Sequence, residues 1–284
     1  MLLSPSEQLA HSTVRIETSY LDGSAGTGTG FFFSFRGKES DQTIPAIVTN
    51  KHVVAGAPNG KIHLTLRNDE NGPRVGEHLA VAIDQFGQGW VPHPDESVDL
   101  CVMPINPLLA HCDSLGRRFF FVSLDESLLP TQEELDDLTA LEDILMIGYP
   151  NGIWDSANNM PILRRGVTAT HPKLDYEGRK EFAVDAACFP GSSGSPIFLF
   201  NTGTWSTRQG TIFGGSRIKL LGLLYAGPQH TASGEVRIIN VPTQQRAVAF
   251  STIPNNLGFV IKASRLREMQ DALIAHLDRA EAAT

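Results

Sequence analysis

The chain has 284 residues, 41% of them hydrophobic and 19% charged, with 26 glycines and 17 prolines. That length can bury a large core, and the mix suits a turn-rich β protein better than a helical bundle. The formal net charge of −8 is local: residues 125 to 143 hold eight of the 31 acidic side chains and no Lys or Arg, which leaves 23 acidic residues against 23 basic ones elsewhere. No basic stripe is present for a nucleic acid, and no apolar run approaches a membrane span.

In chain order, "SPSEQL" offers Ser4 as an N-cap with Pro5 at the first helical position. The first half then reads as six short strands: "STVRIET", "GTGFFFSF", "AIVTN", "KIHLTLR", "AVAIDQF" and "DLCVMPI". "KIHLTLR" alternates, with Ile62, Leu64 and Leu66 on one side and His63, Thr65 and Arg67 on the other. Turn signals such as "NGP" at 71 to 73 separate the runs. The acidic segment follows and reads as a solvated linker or short helix. The second half gives six more strands: "ILMIGYP", "MPILRRGVTAT", "EFAVDAA", "SPIFLF", "LLGLLYAG" and "LGFVIKA", with "RIINVP" as an extra strand or hairpin arm. The C-terminal "SRLREMQDALIAHLDRAEAA" has a one-sided stripe of Leu266, Met269, Leu273, Ile274 and Leu277, which predicts a helix packed as a lid on the second half.

Six strands per half predict an all-β protein of two six-stranded antiparallel Greek-key barrels with a C-terminal α-helix. The expected division is 1–115 for the first barrel, 116–140 for an acidic linker, 141–263 for the second barrel and 264–284 for the helix. Three cysteines, Cys101, Cys112 and Cys188, are scattered with no CxxC pair, so neither a metal site nor a redox motif is expected, and no cofactor. The N-terminal "MLLSPSEQLAHS" lacks an export signal, which together with the cysteine pattern predicts a reducing, cytoplasmic setting.

The stretch "FPGSSGSPIF" at 189 to 198 sets two serines between glycines. A serine hydroxyl attacks a carbonyl well only when a base takes its proton. Among nine histidines, His52 ends the apolar strand of "AIVTNKHVV", where it can face a cleft from an anchored backbone. His111, in "AHC", lies after the last strand of the first half and is set aside. For the carboxylate, Asp99 opens a buried strand. Asp95 sits in a polar turn, and Asp84 has a solvent-facing position inside a strand as its simpler account.

The order His52, Asp99, Ser193 resembles that of the trypsin-like, chymotrypsin-fold serine peptidases. Its separations are 47 and 94 residues, against about 45 and about 93 in that template. "GSSGSP" is similar to the family's Gly-Asp-Ser-Gly-Gly-Pro loop. "GTGFFF", "GYP" and "LGFVIKAS" echo its bacterial, intracellular branch across residues 12 to 264. The resemblance implies a triad of His52, Asp99 and Ser193, with backbone N–H groups of Gly191 and Ser193 as the oxyanion hole. It also implies a substrate pocket based at Ala187 and Cys188 and walled by Tyr225, Ala226 and Gly227. There are departures. Ser192 stands where many members carry an activation Asp, so no activating cut is expected. Ser195 replaces the second glycine. Val53 follows His52, so the usual neighbouring disulfide cannot form.

Ala187 offers no carboxylate, which predicts a small or apolar side chain in the pocket. The expected function is a serine endopeptidase acting on protein or peptide through an acyl-enzyme. Only about 20 residues follow the last predicted strand, so no attached peptide-binding domain is expected. The expected control is therefore a separate partner protein or a mispositioned oxyanion loop, with no nucleic acid or membrane involved. The alternatives are a catalytically silent scaffold of the same fold that binds proteins, or an unrelated β protein with loop serines. An α/β-hydrolase would need Gly-x-Ser-x-Gly between strand and helix, whereas "GSSGS" leads into a strand.

Overall fold

The computed structural model describes residues 3–39, 42–227, 229–235, 248–254 and 256–282; "RIINVP" lies outside them. The chain opens on α1 (Pro5–Ala10), where Ser4 and Glu7 form a reciprocal capping box at the predicted start. The first sheet is built from β1 (Thr13–Ser19), β2 (Ala25–Arg36), β3 (Thr43–Thr49), β4 (Asn59–Arg67), β5 (Pro73–Asp84), β6 (Val91–Pro92), β7 (Cys101–Pro104) and β8 (Phe119–Phe120). Its order is β5-β4-β1-β2-β3-β7-β6, with β8 paired to β4. That is eight strands rather than six. The extra two are two-residue strands, too short to show a period.

The second sheet contains β9 (Asp143–Gly148), β10 (Ile162–Thr168), β11 (Glu181–Asp185), β12 (Pro196–Thr207), β13 (Gly210–Ala226) and β16 (Leu257–Lys262), and a separate hairpin is formed by β14 (Gln229–Glu235) and β15 (Val248–Pro254). β9 pairs with both β10 and β12, so the ladder returns to its start. All six expected strands of this half are present, and β12 and β13 run far beyond their apolar segments into a polar hairpin.

Strand alternation divides the core in three. On β2, Phe31, Phe33 and Phe35 enter a core shared by both sheets, while Phe32 points into the first sheet's own interior with Ile16, Ile47 and Ile62. On β9, Leu145 and Ile147 enter the shared core, while Ile144 and Met146 point into the second sheet's interior with Phe182 and Val184. A strand covered on both faces reads as a continuous apolar run, which accounts for "FFF" and "ILMI".

Helices fill the ends: α2 (Lys51–Val54), α3 (Asn106–Ser114), α4 (Gln132–Asp137), α5 (Ser264–Arg267) and α6 (Met269–Ala282). His111 lies on α3. The C-terminal helix corrects one expectation. Leu266, Met269 and Leu273 are buried in the shared core, and α6 packs on β6 and β7 of the first sheet rather than capping the second. The acidic segment is no free linker either. α4 carries its own capping box of Thr131 and Glu134, Glu126 meets Arg36 at 2.8 Å, Glu134 meets Lys219 at 2.8 Å, and buried Glu142 meets Arg217 at 2.6 Å. Its charges answer cations from elsewhere in the fold. The non-apolar face of β4 is covered as well: Asn159 donates to Thr65 Oγ1 at 2.9 Å, and Trp154 packs edge-on to His63 with ring centroids 4.8 Å apart.

Candidate active site

β3 ends at Thr49, and three consecutive residues then grip the loop ahead of β7. Asn50, fully buried, donates through Nδ2 to Asp99 O at 2.7 Å. Lys51 Nζ donates to the carbonyls of Asp95 and Glu96, both at 3.2 Å. His52, on the single turn of α2, donates its N–H to Asp99 Oδ1 at 3.1 Å and sets Nδ1 2.5 Å from Asp99 Oδ2. With Nδ1 as donor to that carboxylate, Nε2 is left as the acceptor a general base needs. The His52 side chain is 49% exposed and Asp99 25%, so the imidazole is open to solvent. Asp99 lies two residues before its strand rather than on it. Asp95 accepts from Ser97 in a local turn, and Asp84 is exposed at the end of β5.

The serine loop is held through its backbone. Gly194 N–H donates to Leu224 O at 2.7 Å, and Leu224 N–H donates to Ser195 O at 2.9 Å. Gly194 has φ +84°, and a Cβ there would lie 1.9 Å from Thr29 O, so both conformation and space demand glycine. Ser195, the departure from the second glycine, is accommodated across the core: a Cβ at Gly148 would lie 2.1 Å from Ser195 Oγ. The "GYP" glycine thus leaves room for this side chain. Ser192 is buried with its Oγ unpartnered among the described residues.

Thr29 on β2 ties the two halves together. Its N–H donates to Ser193 O at 2.9 Å, and its carbonyl accepts from Thr49 Oγ1 at 2.7 Å, three residues before His52. Its own Oγ1 donates to Gly191 O and accepts from Tyr149 N–H, both at 3.0 Å. The backbone of Ser193 and the strand that ends at His52 therefore share one buried residue. Nothing in "GTGTG" singles out Thr29, because every one of these contacts runs to a distant segment.

Two peptide planes matter next. In a trans peptide the carbonyl and the N–H point opposite ways. Pro190 O accepts from Asn151 N–H at 2.6 Å, and Ser192 O accepts from Ser195 N–H at 3.0 Å. The Gly191 and Ser193 N–H groups, the other halves of those planes, are turned away from these anchors and have no backbone acceptor among the described residues. The Asn151 turn is in turn fastened by Arg15 of β1, which donates to Gly152 O, pairs with Glu17 at 2.9 Å and lies 5.1 Å over the Trp154 ring.

Of the residues expected to form the pocket, Cys188 and Gly227 come together: a Cβ on Gly227 would lie 3.6 Å from Cys188 Cβ. Burial pushes the Cys188 thiol up to about 11, so it stays neutral. Tyr225 turns its hydroxyl to Glu181 Oε2 at 2.8 Å, and burial first, then that carboxylate, raises its pKa strongly. Ala226 is described only as strand backbone. Ala187 O accepts from Arg164, whose guanidinium lies 4.9 Å over the Phe189 ring. Arg164 was missed in the sequence, although the alternation of "ILRRG" sets it on the opposite side from Leu163 and Arg165. All three cysteines are free and buried. No group of metal-ligating side chains occurs among the described residues, and none of their helices is long and apolar enough to cross a membrane.

Two sheets joined through Thr29, with a His–Asp pair on the first and a serine loop on the second, agree with a family model. The trypsin-like peptidase domain matches residues 28–205. The chain belongs to that family and is by class a trypsin-like serine endopeptidase. Similar solved structures include a serine endoprotease from Yersinia pestis, 15% identical, TM-score 0.49, covering 97% of this chain and 68% of that one. The Rv3671c protease of M. tuberculosis, in its active form, is 16% identical with TM-score 0.43, covering 91% and 79%. The tobacco etch virus protease complexed with product is 14% identical with TM-score 0.42, covering 80% and 73%. Comparison with curated proteins gives no match.

Proposed function

We propose that the protein cleaves peptide bonds with Ser193 as nucleophile, His52 as general base and Asp99 as its orienting carboxylate. The observation that carries this reading is the 2.5 Å Nδ1–Oδ2 contact of His52 with Asp99, just past the end of β3, whose Thr49 is tied through Thr29 to the backbone of Ser193. His52 Nε2 takes the Ser193 proton as Oγ attacks the carbonyl. Asp99 holds the tautomer and stabilises the imidazolium. The Gly191 and Ser193 N–H groups receive the oxyanion, each worth on the order of 3 kcal/mol in the transition state. His52 returns the proton to the leaving amine, and water then repeats the cycle on the acyl-enzyme.

The same reading takes the two sheets as Greek-key barrels, with 1–115 supplying His52 and Asp99, 116–140 crossing over, 141–263 supplying the serine loop and 264–284 clasping the outside. The pocket is formed by Ala187, Cys188, Tyr225, Ala226 and Gly227. A separate partner protein, or reorientation of the Pro190–Gly191 peptide, controls the activity in a cytoplasmic setting. Rapid cleavage of unfolded casein by the purified protein alone would argue against that control. The function itself is tested by incubating wild type and Ser193→Ala with a peptide library and reading the cuts by mass spectrometry. Cuts by wild type that vanish in the variant are expected; cuts that persist would move the nucleophile elsewhere.

A further inference from the structure

Arg164 stands apart from the other largely covered arginines. Arg15 holds Glu17, Arg217 holds Glu142 and Arg265 holds Glu268. Arg164, half-buried, has no carboxylate within ion-pair distance among the described residues; Asp143 goes to its neighbour Arg165 at 3.8 Å, and Asp185 is exposed at the end of β11. Leu163 and Arg165 face solvent, whereas Arg164 lies on the other face of β10, opposite Met146 in register. Met146 belongs to the second sheet's interior, as do Ala186 and Cys188. Arg164 Nη1 donates to Ala187 O, and the guanidinium covers the Phe189 ring. Beyond Cys188 lie Gly227 and Gly258, each so near it that a Cβ would meet its side chain. The cation therefore borders the base of the proposed pocket.

A half-buried cation with no counter-charge is costly to hold. The Ala187 carbonyl and the Phe189 ring face offset part of that cost. A guanidinium has five N–H donors, and among the described residues one of them is engaged, so a fork remains for a carboxylate. We propose that Arg164 makes the pocket selective for an acidic side chain, Glu or Asp, in the residue before the scissile bond. This rests on the peptidase reading above and replaces the small or apolar preference expected from Ala187 alone. Desolvation, which lowers the Arg164 pKa, is the same effect that an arriving carboxylate would answer.

The test separates pocket from nucleophile. Full-length Ser193→Ala protein is titrated with N-acetyl tetrapeptides ending in Glu, Gln, Leu or Lys, by calorimetry. The Glu peptide is expected to bind at least about tenfold tighter than the isosteric Gln peptide, the scale of one charge-assisted hydrogen bond. Adding Arg164→Gln should make the two equal, and adding Arg164→Lys should keep part of the preference and report if the Gln variant fails to fold. Equal binding of Glu and Gln, tighter binding of Leu or Lys, no binding by any peptide, or a Glu preference that survives Arg164→Gln overturns the proposal. Failure of the peptidase reading would show differently: wild type would cut none of the matching amides while the binding order for Glu still held.

Discussion

The two halves of the site are built by different means. On the first sheet, side chains hold side chains and carbonyls: Asn50, Lys51 and His52 each reach across to the Asp95–Asp99 loop. On the second sheet, the serine loop is held by backbone groups: Gly194 to Leu224, Ser195 to Ser192 and Asn151 to Pro190. Residue identity therefore decides the first half. In the second it matters mainly where a side chain must be absent, as at Gly194 and Gly148. Thr29 is the exception that joins the two regimes, because its side chain does the work of a backbone pair.

Substitutions sharpen that contrast. Ser193→Ala should lower kcat by on the order of a million-fold with the fold intact, read in steady-state assays alongside a thermal melt. Asp99→Asn should cost on the order of ten-thousand-fold, because the amide favours the wrong imidazole tautomer. It should also loosen α2, since Asp99 Oδ1 accepts the His52 N–H. Thr29→Val keeps the shape but leaves the Tyr149 N–H and Gly191 O unpaired. A loss of about 1–3 kcal/mol for each buried orphan is expected in denaturant titration. A stability matching wild type would show that Thr29 joins nothing. Arg15→Met frees Gly152 O and should lower kcat more than it raises KM, by about tenfold, if the turn it fastens aims the Gly191 N–H. Activity unchanged in that variant would detach the turn from the serine loop.

The smallest effect concerns pH. His93 is buried, accepts from Asp95 N–H through Nδ1 at 3.0 Å, and burial lowers its pKa below the ordinary histidine value despite Glu268 nearby. The unfolded chain then binds more protons just below the ordinary histidine pKa, so stability should fall as pH drops through that value and recover as pH rises. His63 and His11 are lowered by burial in the same direction. A His93→Gln variant should show a shallower fall in melting temperature between neutral and mildly acidic buffer. An unchanged slope would remove His93 from the account.

What was legible in the sequence follows the same division. Strand positions could be read because each run is apolar on one or both faces, and the His52–Asp99–Ser193 order could be read because the proposed chemistry rests on side-chain types that a sequence displays directly. The ends of β12 and β13 could not, since "NTGTWSTRQGTIFGG" has no apolar face to mark it. The seat of the C-terminal helix could not either. Its stripe shows that Leu266, Met269 and Leu273 are buried, but not which sheet buries them. Arg164 and Arg15 could not be singled out, because a single arginine does not reveal whether its partner is a carboxylate, a carbonyl or a ring. Only the packing of β10 beside the Ala187–Phe189 segment and of β1 beside the Asn151 turn supplies that information.

The most direct measurement is reaction of the folded protein with a fluorophosphonate, followed by peptide mapping, in wild type and in His52→Ala. A single adduct on Ser193, lost or greatly slowed without the imidazole, is the result this account predicts. An adduct on another serine, labelling that ignores His52, or no adduct on a protein that melts cooperatively would contradict it.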